Sequence, residues 1–360
     1  MRWTWKALVP GLKGLAVGLI GGVLAAMGHV PLPWIIGPLV AVAAGRFAGL
    51  EISAFPGGRQ AGQWIIGTVL GLYFTPEVTA IVARLWWLLI LAGAFALALG
   101  YLSGFLLHAM TGVDKTTAVF ASVPGGAAEM SVLGERYGAR VDVVAAAQSL
   151  RIMLVVLVVP MVFAALGLHG ADPFQPGTTE VRPQGLAVLL VATLAGGLLL
   201  ARARVPNAFI LGALAVAIPL TVGEINLSAV PRPLSNAAQL LIGCALGARF
   251  ERDFLRQAPR LVGAILVTVA AAIALSALFA WAAAAMTGLH TATLVLATAP
   301  GGIAEMAITA KVLELGVPLV TSFHVTRVVI LLTCSAPVFT SLRRRRAAQR
   351  HRSDGRGPVA

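Results

Sequence analysis

Apolar segments, most of them long enough to cross a bilayer as helix, follow one another along almost the entire chain. About 20 residues of α-helix span the roughly 30 Å of hydrocarbon in a membrane, where a helix satisfies its own backbone hydrogen bonds. With 58% hydrophobic and only 11% charged residues, the composition lies far from that of soluble domains. The sequence therefore predicts an all-α integral membrane protein. The apolar segments are residues 14–30, 33–49, 62–75, 85–109, 116–136, 141–167, 185–201, 207–222, 236–249, 261–286, 292–312 and 318–341.

The chain is an internal duplication, because residues that composition cannot explain recur at a shift of 176 positions. The stretch VPGGAAEM at 123–130 returns as APGGIAEM at 299–306, and near the start VPLPWIIGPL matches VPNAFILGAL at a shift of 175. Other matched pairs are Gln63 and Gln239, Gly67 and Gly243, Gly71 and Gly247, Phe74 and Phe250, and Arg151 and Arg327. We therefore divide the chain into a first membrane repeat at 10–167, a polar linker at 168–184, a second membrane repeat at 185–341 and a basic cytoplasmic tail at 342–360.

The positions of arginine and lysine predict that the two repeats have opposite orientations in the membrane. If one of the six segments in each repeat enters and returns, the number of crossings is odd and the second repeat is inverted. Positive charges, including those of the tail, then gather on the cytoplasmic side. Six crossings per repeat would instead place the cluster Arg249, Arg252, Arg256 and Arg260 outside. We therefore expect about 10 transmembrane helices plus two re-entrant or broken PGG segments, as two inverted repeats with both termini cytoplasmic.

A proline followed by two glycines interrupts one apolar segment in each repeat. Lipid cannot satisfy the backbone groups that such a break exposes, so the break must be buried in protein or line a wet cavity. Secondary transporters use paired breaks of this kind, whose half-helix N-termini face an anionic group near the midplane. We therefore predict that the two breaks meet and form a substrate or ion site. The residues of the breaks are Pro124, Gly125, Gly126, Pro300, Gly301 and Gly302.

One glutamate lies in the first turn of the helix that follows each break, at Glu129 and Glu305. Two interpretations stay open at this point. Each carboxylate either satisfies the N-terminus of its own helix, or the pair binds a coupling proton or sodium ion. The second interpretation follows from the energetic penalty of an ionisable group inside a membrane, which makes such a residue a functional candidate.

An arginine lies inside the segment after each break, at Arg151 and Arg327, three residues after Gln148 and His324. This spacing puts both polar groups of a pair on one helical face. The expected partners of the arginines are the paired glutamates, the exposed carbonyls at the breaks or an anionic substrate. The alternative is snorkelling to the interface from near a helix start. His324, which stands where the first repeat has glutamine, is either a proton relay or a polar packing residue.

Small residues four apart in each repeat have the spacing at which membrane helices approach closely. They are Gly67 with Gly71, and Gly243 with Gly247. Packing is therefore favoured over substrate contact for these glycines. The secondary site candidates, which line the same cavity or bridge helices, are Gln63 and Gln239.

The doubled PGGxAEM motif, with a second segment of the PW/FxxG type in each half, resembles the bacterial membrane AbrB family, which is defined by a duplicated membrane domain. The resemblance covers roughly residues 10–340. Members carry labels such as regulator of gene expression or ammonia monooxygenase, which imply little about mechanism. The organisation is also similar to the cation/proton antiporter and anion transporter folds. In that pattern the PGG segments span as broken helices, and a different segment is the one that fails to cross.

The residues exclude several classes of function. The six histidines show no ligand spacing such as H-x-x-x-H, so the monooxygenase label is set aside. No Walker A loop or other cofactor motif is present, and no cofactor, metal site or catalytic residue is expected. The net charge of +13 is assigned to orientation and contact with lipid headgroups, without direct nucleic-acid binding.

The sequence thus predicts a secondary transporter of the bacterial inner membrane rather than an enzyme. Its solute is a small metabolite, with an anion favoured by the helix N-termini and the two arginines, and protons or sodium are the candidate coupling ions. If the arginines pair fully with the glutamates, the site is neutral and the solute is zwitterionic or apolar. The alternative function is a membrane-embedded sensor that affects gene expression indirectly through a ligand or partner. Membrane lipid and a small-molecule or ion substrate are the expected partners, and homo-oligomer formation is left open.

Overall fold

The computed structural model describes residues 5–170, 174–249 and 259–353, and every regular element within these ranges is a helix. Phe250, Arg252, Arg256, residues 171–173 of the linker and residues 354–360 of the tail lie outside the described residues. The helices are α1 (Trp5–Met27), α2 (Pro33–Phe47), α3 (Gly58–Gly71), α4 (Pro76–Arg84), α5 (Trp86–Thr111), α6 (Lys115–Ser122), α7 (Ala127–Arg136), α8 (Val141–Ala165), α9 (Pro183–Arg202), α10 (Ala208–Val222), α11 (Arg232–Gly247), α12 (Pro259–Thr287), α13 (Thr291–Thr298), α14 (Ile303–Val312) and α15 (Val317–Ser353).

Six helices in the described part of the chain are long and apolar enough to cross a membrane. They are α5, α8, α9, α12, the Leu8–Met27 part of α1 and the Val317–Thr340 part of α15. Helices α3 and α4 form a seventh candidate, a pair bent by 94° at the break between them, while α2 and α10 are shorter apolar helices of 15 residues each. The structure therefore confirms an all-α protein with several membrane-length helices. The larger predicted number of crossings stays a prediction.

Local sequence signals set the helix boundaries around the first PGG motif. Helix α5 ends at Gly112, whose φ of 71° is the left-handed conformation that glycine adopts readily. Helix α6 begins after Asp114, whose carboxylate accepts a hydrogen bond from the Thr117 N–H at 2.8 Å. It ends before Val123, which is extended because the residue before a proline is driven out of the helical region. The turn and the break therefore both follow from local sequence.

The duplication extends to backbone conformation and to helix packing. Leu32 and Asn207 both have a φ of 51° and directly precede the equivalent helices α2 and α10. Helix α3 of the first repeat packs against α10 of the second, and its counterpart α11 packs against α2. Because the repeats exchange equivalent contacts, most of the buried apolar residues of both belong to one core.

Glycines allow these exchanged helix contacts to be close. A Cβ on Gly67 would lie 2.7 Å from the carbonyl oxygen of Ile210 in α10, and one on Gly243 would lie 2.5 Å from that of Ile35 in α2. Both distances are too short for a real side chain. The structure therefore supports helix packing, rather than substrate contact, as the reason for these glycines.

Candidate functional site

Each PGG motif separates two short helices, α6 from α7 in the first repeat and α13 from α14 in the second. The backbone forms the same tight turn around both prolines. The Gly125 N–H donates to the carbonyl oxygen of Val123 at 2.9 Å, and the Gly301 N–H donates to that of Ala299 at 2.8 Å. The motifs are therefore genuine interruptions of two helical segments, as the sequence predicts.

The first glycine of each motif gives room to the methionine at the end of the same motif. A Cβ on Gly125 would lie 2.8 Å from the Met130 sulfur, and one on Gly301 would lie 2.8 Å from the Met306 sulfur. Both methionines are fully buried. The methionine side chain thus folds back over its own break and fills the space that the interruption leaves.

The second glycine gives room to the glutamate in the same way. A Cβ on Gly126 would overlap with the Glu129 Oε2, and one on Gly302 would overlap with the Glu305 Oε2. Each carboxylate thus lies over the start of its own helix, at the position from which a capping-box glutamate acts. This placement agrees with the interpretation that each glutamate satisfies its helix N-terminus. The ion-binding interpretation stays a prediction.

Each proline leaves one carbonyl without its helical donor, and a polar side chain from the next long helix supplies the missing hydrogen. Pro124 has no N–H for the carbonyl of Phe120 four residues earlier, and the Gln148 amide donates to that carbonyl at 2.8 Å. In the second repeat the equivalent carbonyl, that of Leu296, contacts the His324 Nε2 at 3.0 Å. Gln148 and His324 thus have equivalent roles. These hydrogen bonds explain why both polar side chains are fully buried.

The arginines also bind the breaks through backbone carbonyls. The Arg151 Nη1 donates to the Ser122 carbonyl at 3.3 Å, whereas Arg327 donates from Nη1 to Ala299 at 2.6 Å and from Nη2 to Gly301. Arg151 is 6% exposed and Arg327 is 4% exposed. Both guanidinium groups are buried in protein, which argues against the snorkelling alternative. The exposed carbonyls are the predicted partner that the structure supports.

Two small cavities, of about 30 and 40 Å³, meet at the breaks. Pro124, Arg151 and Arg327 line both of them. The first cavity runs between α5 and α12 and is largely apolar. The second lies beside α3, α14 and the start of α10, and polar residues line much of it. The polar side chains of the second cavity other than the two arginines are Arg59, Gln63, Asn207 and Glu305.

Several polar residues at this site are not predicted as site residues by the sequence. Arg249 is close enough to Arg59 for their positive charges to repel each other. It is also close enough to Glu129 and Glu305 for electrostatic attraction. In the sequence, Arg249 serves only as part of the arginine cluster that marks the cytoplasmic side, and Arg59 is one of the positive charges assigned to the same side. The sequence does contain a sign that Asn207 is unusual. It is the polar residue in the apolar stretch VPNAFILGAL, and the matching residue in the first repeat is Leu32. Of the two secondary candidates, Gln63 lines the second cavity and Gln239 lines neither.

Alanine at the second glycine of each motif should destabilise the two repeats unequally. Gly302 has a φ of −84°, which alanine adopts easily, so Gly302→Ala mainly displaces the Glu305 carboxylate. Gly126 has a φ of 96°, so Gly126→Ala adds backbone strain of about 1–3 kcal/mol to the same displacement. We expect thermal unfolding of the purified variants to show the lower midpoint for Gly126→Ala. Equal midpoints for the two variants would contradict the difference in backbone conformation between Gly126 and Gly302.

The chain is similar to proteins grouped under the description "Transition state regulatory protein AbrB", whose family model matches residues 34–343. It is 26% identical to the "Uncharacterized protein YhjN" of Bacillus subtilis (strain 168), over 93% of this chain and 94% of that protein. It is also 26% identical to the "Putative regulator AbrB" of Escherichia coli (strain K12), over 85% of this chain and 88% of that protein. No solved structure matches the chain significantly.

Proposed function

The chain belongs to the AbrB family, and on that premise we propose that it is a secondary transporter that carries a small metabolite anion across the bacterial inner membrane. The proposal assigns the solute site to the place where the two PGG breaks meet, beside Arg151 and Arg327. Transport, rather than catalysis, is the role that buried charges and interrupted helices in a duplicated membrane protein support best.

The observation that carries the proposal is the pair of cavities that share Pro124, Arg151 and Arg327 as common lining. One cavity uses helices α5 and α12, which are equivalent in the two repeats, and the other uses α3, α10 and α14. The two cavities thus approach the shared residues along different helices. We propose that they begin the two routes that open and close in turn around a fixed site during alternating access.

The proposed topology places the two repeats in opposite orientations with both termini in the cytoplasm. It is supported by the distribution of arginine and lysine along the sequence, and by the equivalent contacts that the repeats exchange. The PGG segments are proposed to meet near the midplane, either as re-entrant segments or as broken helices. Membrane lipid covers the remaining apolar surface.

Flux through the reconstituted protein tests the proposal. Proteoliposomes that contain the full chain are adsorbed on a solid-supported membrane, and the current is recorded when small carboxylates, amino acids or cations are added to one side. We expect at least one class of anion to produce a saturable current that empty liposomes do not show. If no solute from any class produces a current or exchanges with labelled solute, the transporter proposal fails.

The coupling ion is proposed to act at Glu129 and Glu305. In the same assay, proton and sodium gradients are imposed on wild-type protein and on Glu129→Gln with Glu305→Gln. Loss of gradient dependence in the double variant, with solute exchange intact, would support coupling at these carboxylates. Unchanged gradient dependence with a lower unfolding midpoint would leave them as helix caps only.

Indirect regulation is the second candidate function, and it is favoured by the names of the family and of the Escherichia coli relative. A sensor would bind its ligand at the same breaks without net flux. Ligand-dependent stabilisation of the purified protein, together with the absence of current and exchange for that ligand, would favour this candidate over transport.

A further inference from the structure

The two site arginines each keep one hydrogen-bond donor unused. Within the described part of the chain, the Nε atoms of Arg151 and Arg327 are buried and have no hydrogen-bond partner. Arg151 holds a break carbonyl through Nη1, and Arg327 holds two of them through Nη1 and Nη2, so the side chains are fixed in place. A guanidinium binds acidic oxygens through a planar fork of N–H groups. The unused donors therefore point to an acceptor that the described residues do not supply.

The charges around the breaks do not balance. Arg151 and Arg327 interact electrostatically with each other, and Arg59 and Arg249 are close to the same region. Among the described residues, the carboxylates that face this group are those of Glu129 and Glu305, so four positive charges meet two negative ones there. The ion pairs found in the described residues, Arg140 with Asp142 and Arg182 with Glu180, are exposed and lie elsewhere. The neutral site that full arginine–glutamate pairing would give is therefore not formed.

A second unused donor group supports the same conclusion. The Arg249 Nη1 is also buried without a hydrogen-bond partner among the described residues. Arg151 and Arg327 are buried, and neither forms an ion pair with a carboxylate among the described residues. Uncompensated buried charge is strongly unfavourable, so both guanidinium groups are features that a ligand should neutralise. The matching ligand carries two negative charges.

We propose that the solute is a short dicarboxylate, one acidic group of which binds Arg151 while the other binds Arg327. This assignment rests on the proposed function and names its substrate class. The two arginines come from equivalent positions of two repeats, so they suit a ligand with two equivalent ends. The apolar lining of the first cavity, including Leu99, Val269 and Ala272, suits the carbon chain between those ends and disfavours a compact inorganic dianion.

The test measures which anions bind the full-length protein in lipid nanodiscs. Dicarboxylates of graded chain length are compared with the monocarboxylate of each chain length, with the corresponding half-amide and with sulfate, by thermal shift and by calorimetry. We expect a dicarboxylate to bind at least about tenfold more tightly than its half-amide, because the amide loses one charge-assisted contact. Equal binding of the monocarboxylate, sole binding of sulfate, or binding of a cation or zwitterion instead would each overturn the proposal, as would the absence of any anion binding.

Arg151→Gln should change the preference for a dicarboxylate over a monocarboxylate, which a purely structural role of Arg151 would leave unchanged. The variant removes one charge and keeps Arg327, so dicarboxylate affinity should fall at least about tenfold while monocarboxylate affinity stays nearly unchanged. Arg140→Gln is the matched control, because it removes an exposed arginine whose side chain is 65% accessible, and it should leave both affinities unchanged. A parallel loss for both anions in Arg151→Gln would contradict two-ended binding. If that variant does not fold, the preference of the wild-type protein for a dicarboxylate over its half-amide still tests the proposal.

Binding and flux together separate this inference from the proposed function. Saturable flux of a monoanion or a zwitterion, without dicarboxylate binding, would overturn the dicarboxylate assignment and leave transport standing. Selective dicarboxylate binding without any flux would support the assignment and overturn transport.

Discussion

Gly37→Ala and Gly212→Ala are each expected to leave little folded protein in the membrane. The two glycines occupy equivalent positions in α2 and α10. A Cβ on Gly37 would overlap with the backbone carbonyl of Gly21 in α1, and one on Gly212 would overlap with that of Gly196 in α9. Backbone atoms cannot turn aside as a flexible side chain can, so the helices must separate. We expect a loss of at least about 3 kcal/mol, at the upper end of what overpacking produces.

Gly263→Ala is the control for this pair. Gly263 lies inside α12, and a Cβ there would meet no atom within 4 Å. Alanine is the better helix former by about 1 kcal/mol, so this variant should be neutral or slightly stabilised. Monodisperse yield after solubilisation and the thermal unfolding midpoint report the difference. If Gly37→Ala and Gly212→Ala fold as well as Gly263→Ala, helices α1 and α2, and likewise α9 and α10, do not cross as closely as the structure shows.

Short-range patterns are enough to predict the polar side chains that bind the two breaks. The three-residue spacing of Gln148 and Arg151 places both on one helical face, and both side chains do reach the same break. The shift of 176 positions then transfers the arrangement to His324 and Arg327. These inferences need only helical geometry and the comparison of one half of the chain with the other, and both are available from the sequence alone.

The partners of those side chains depend on packing between segments that are distant in sequence. The missing N–H of Pro124 identifies the Phe120 carbonyl as one that needs a donor, but nothing local shows that Gln148 supplies it. Likewise, the charge pattern of the sequence marks Arg59 and Arg249 as cytoplasmic, and only the tertiary structure brings them near Glu305. Buried polar contacts of this kind are therefore the part of the site that composition and spacing leave undetermined.

Helix ends are also harder to predict than helix existence. The apolar segment 62–75 is interpreted from the sequence as one membrane segment, whereas α3 is Gly58–Gly71 and the chain then bends by 94° into α4. Thr75 and Pro76 produce the new helix start, since the threonine hydroxyl accepts the Val78 N–H at 3.4 Å and proline suits a first helical position. The apolar composition of a segment does not indicate such a bend.

Arg327→Gln should destabilise the protein more than Arg151→Gln, although the two arginines are equivalent in sequence. Arg327 donates to the carbonyls of both Ala299 and Gly301, whereas Arg151 donates, among the described residues, only to that of Ser122 and at 3.3 Å. A buried carbonyl that loses its donor contributes about 1–3 kcal/mol of destabilisation. Arg327→Gln therefore leaves one more buried carbonyl without a donor than Arg151→Gln does. Thermal unfolding of both variants in nanodiscs, without added anion, gives the comparison.

His324→Gln is the control that separates the loss of a donor from general disturbance of α15. It replaces the histidine by the residue that holds the equivalent carbonyl in the first repeat, so the Leu296 carbonyl should keep a donor. Its unfolding midpoint should fall less than that of Arg327→Gln. Equal midpoints for Arg151→Gln and Arg327→Gln would mean that the break carbonyls do not depend on these donors.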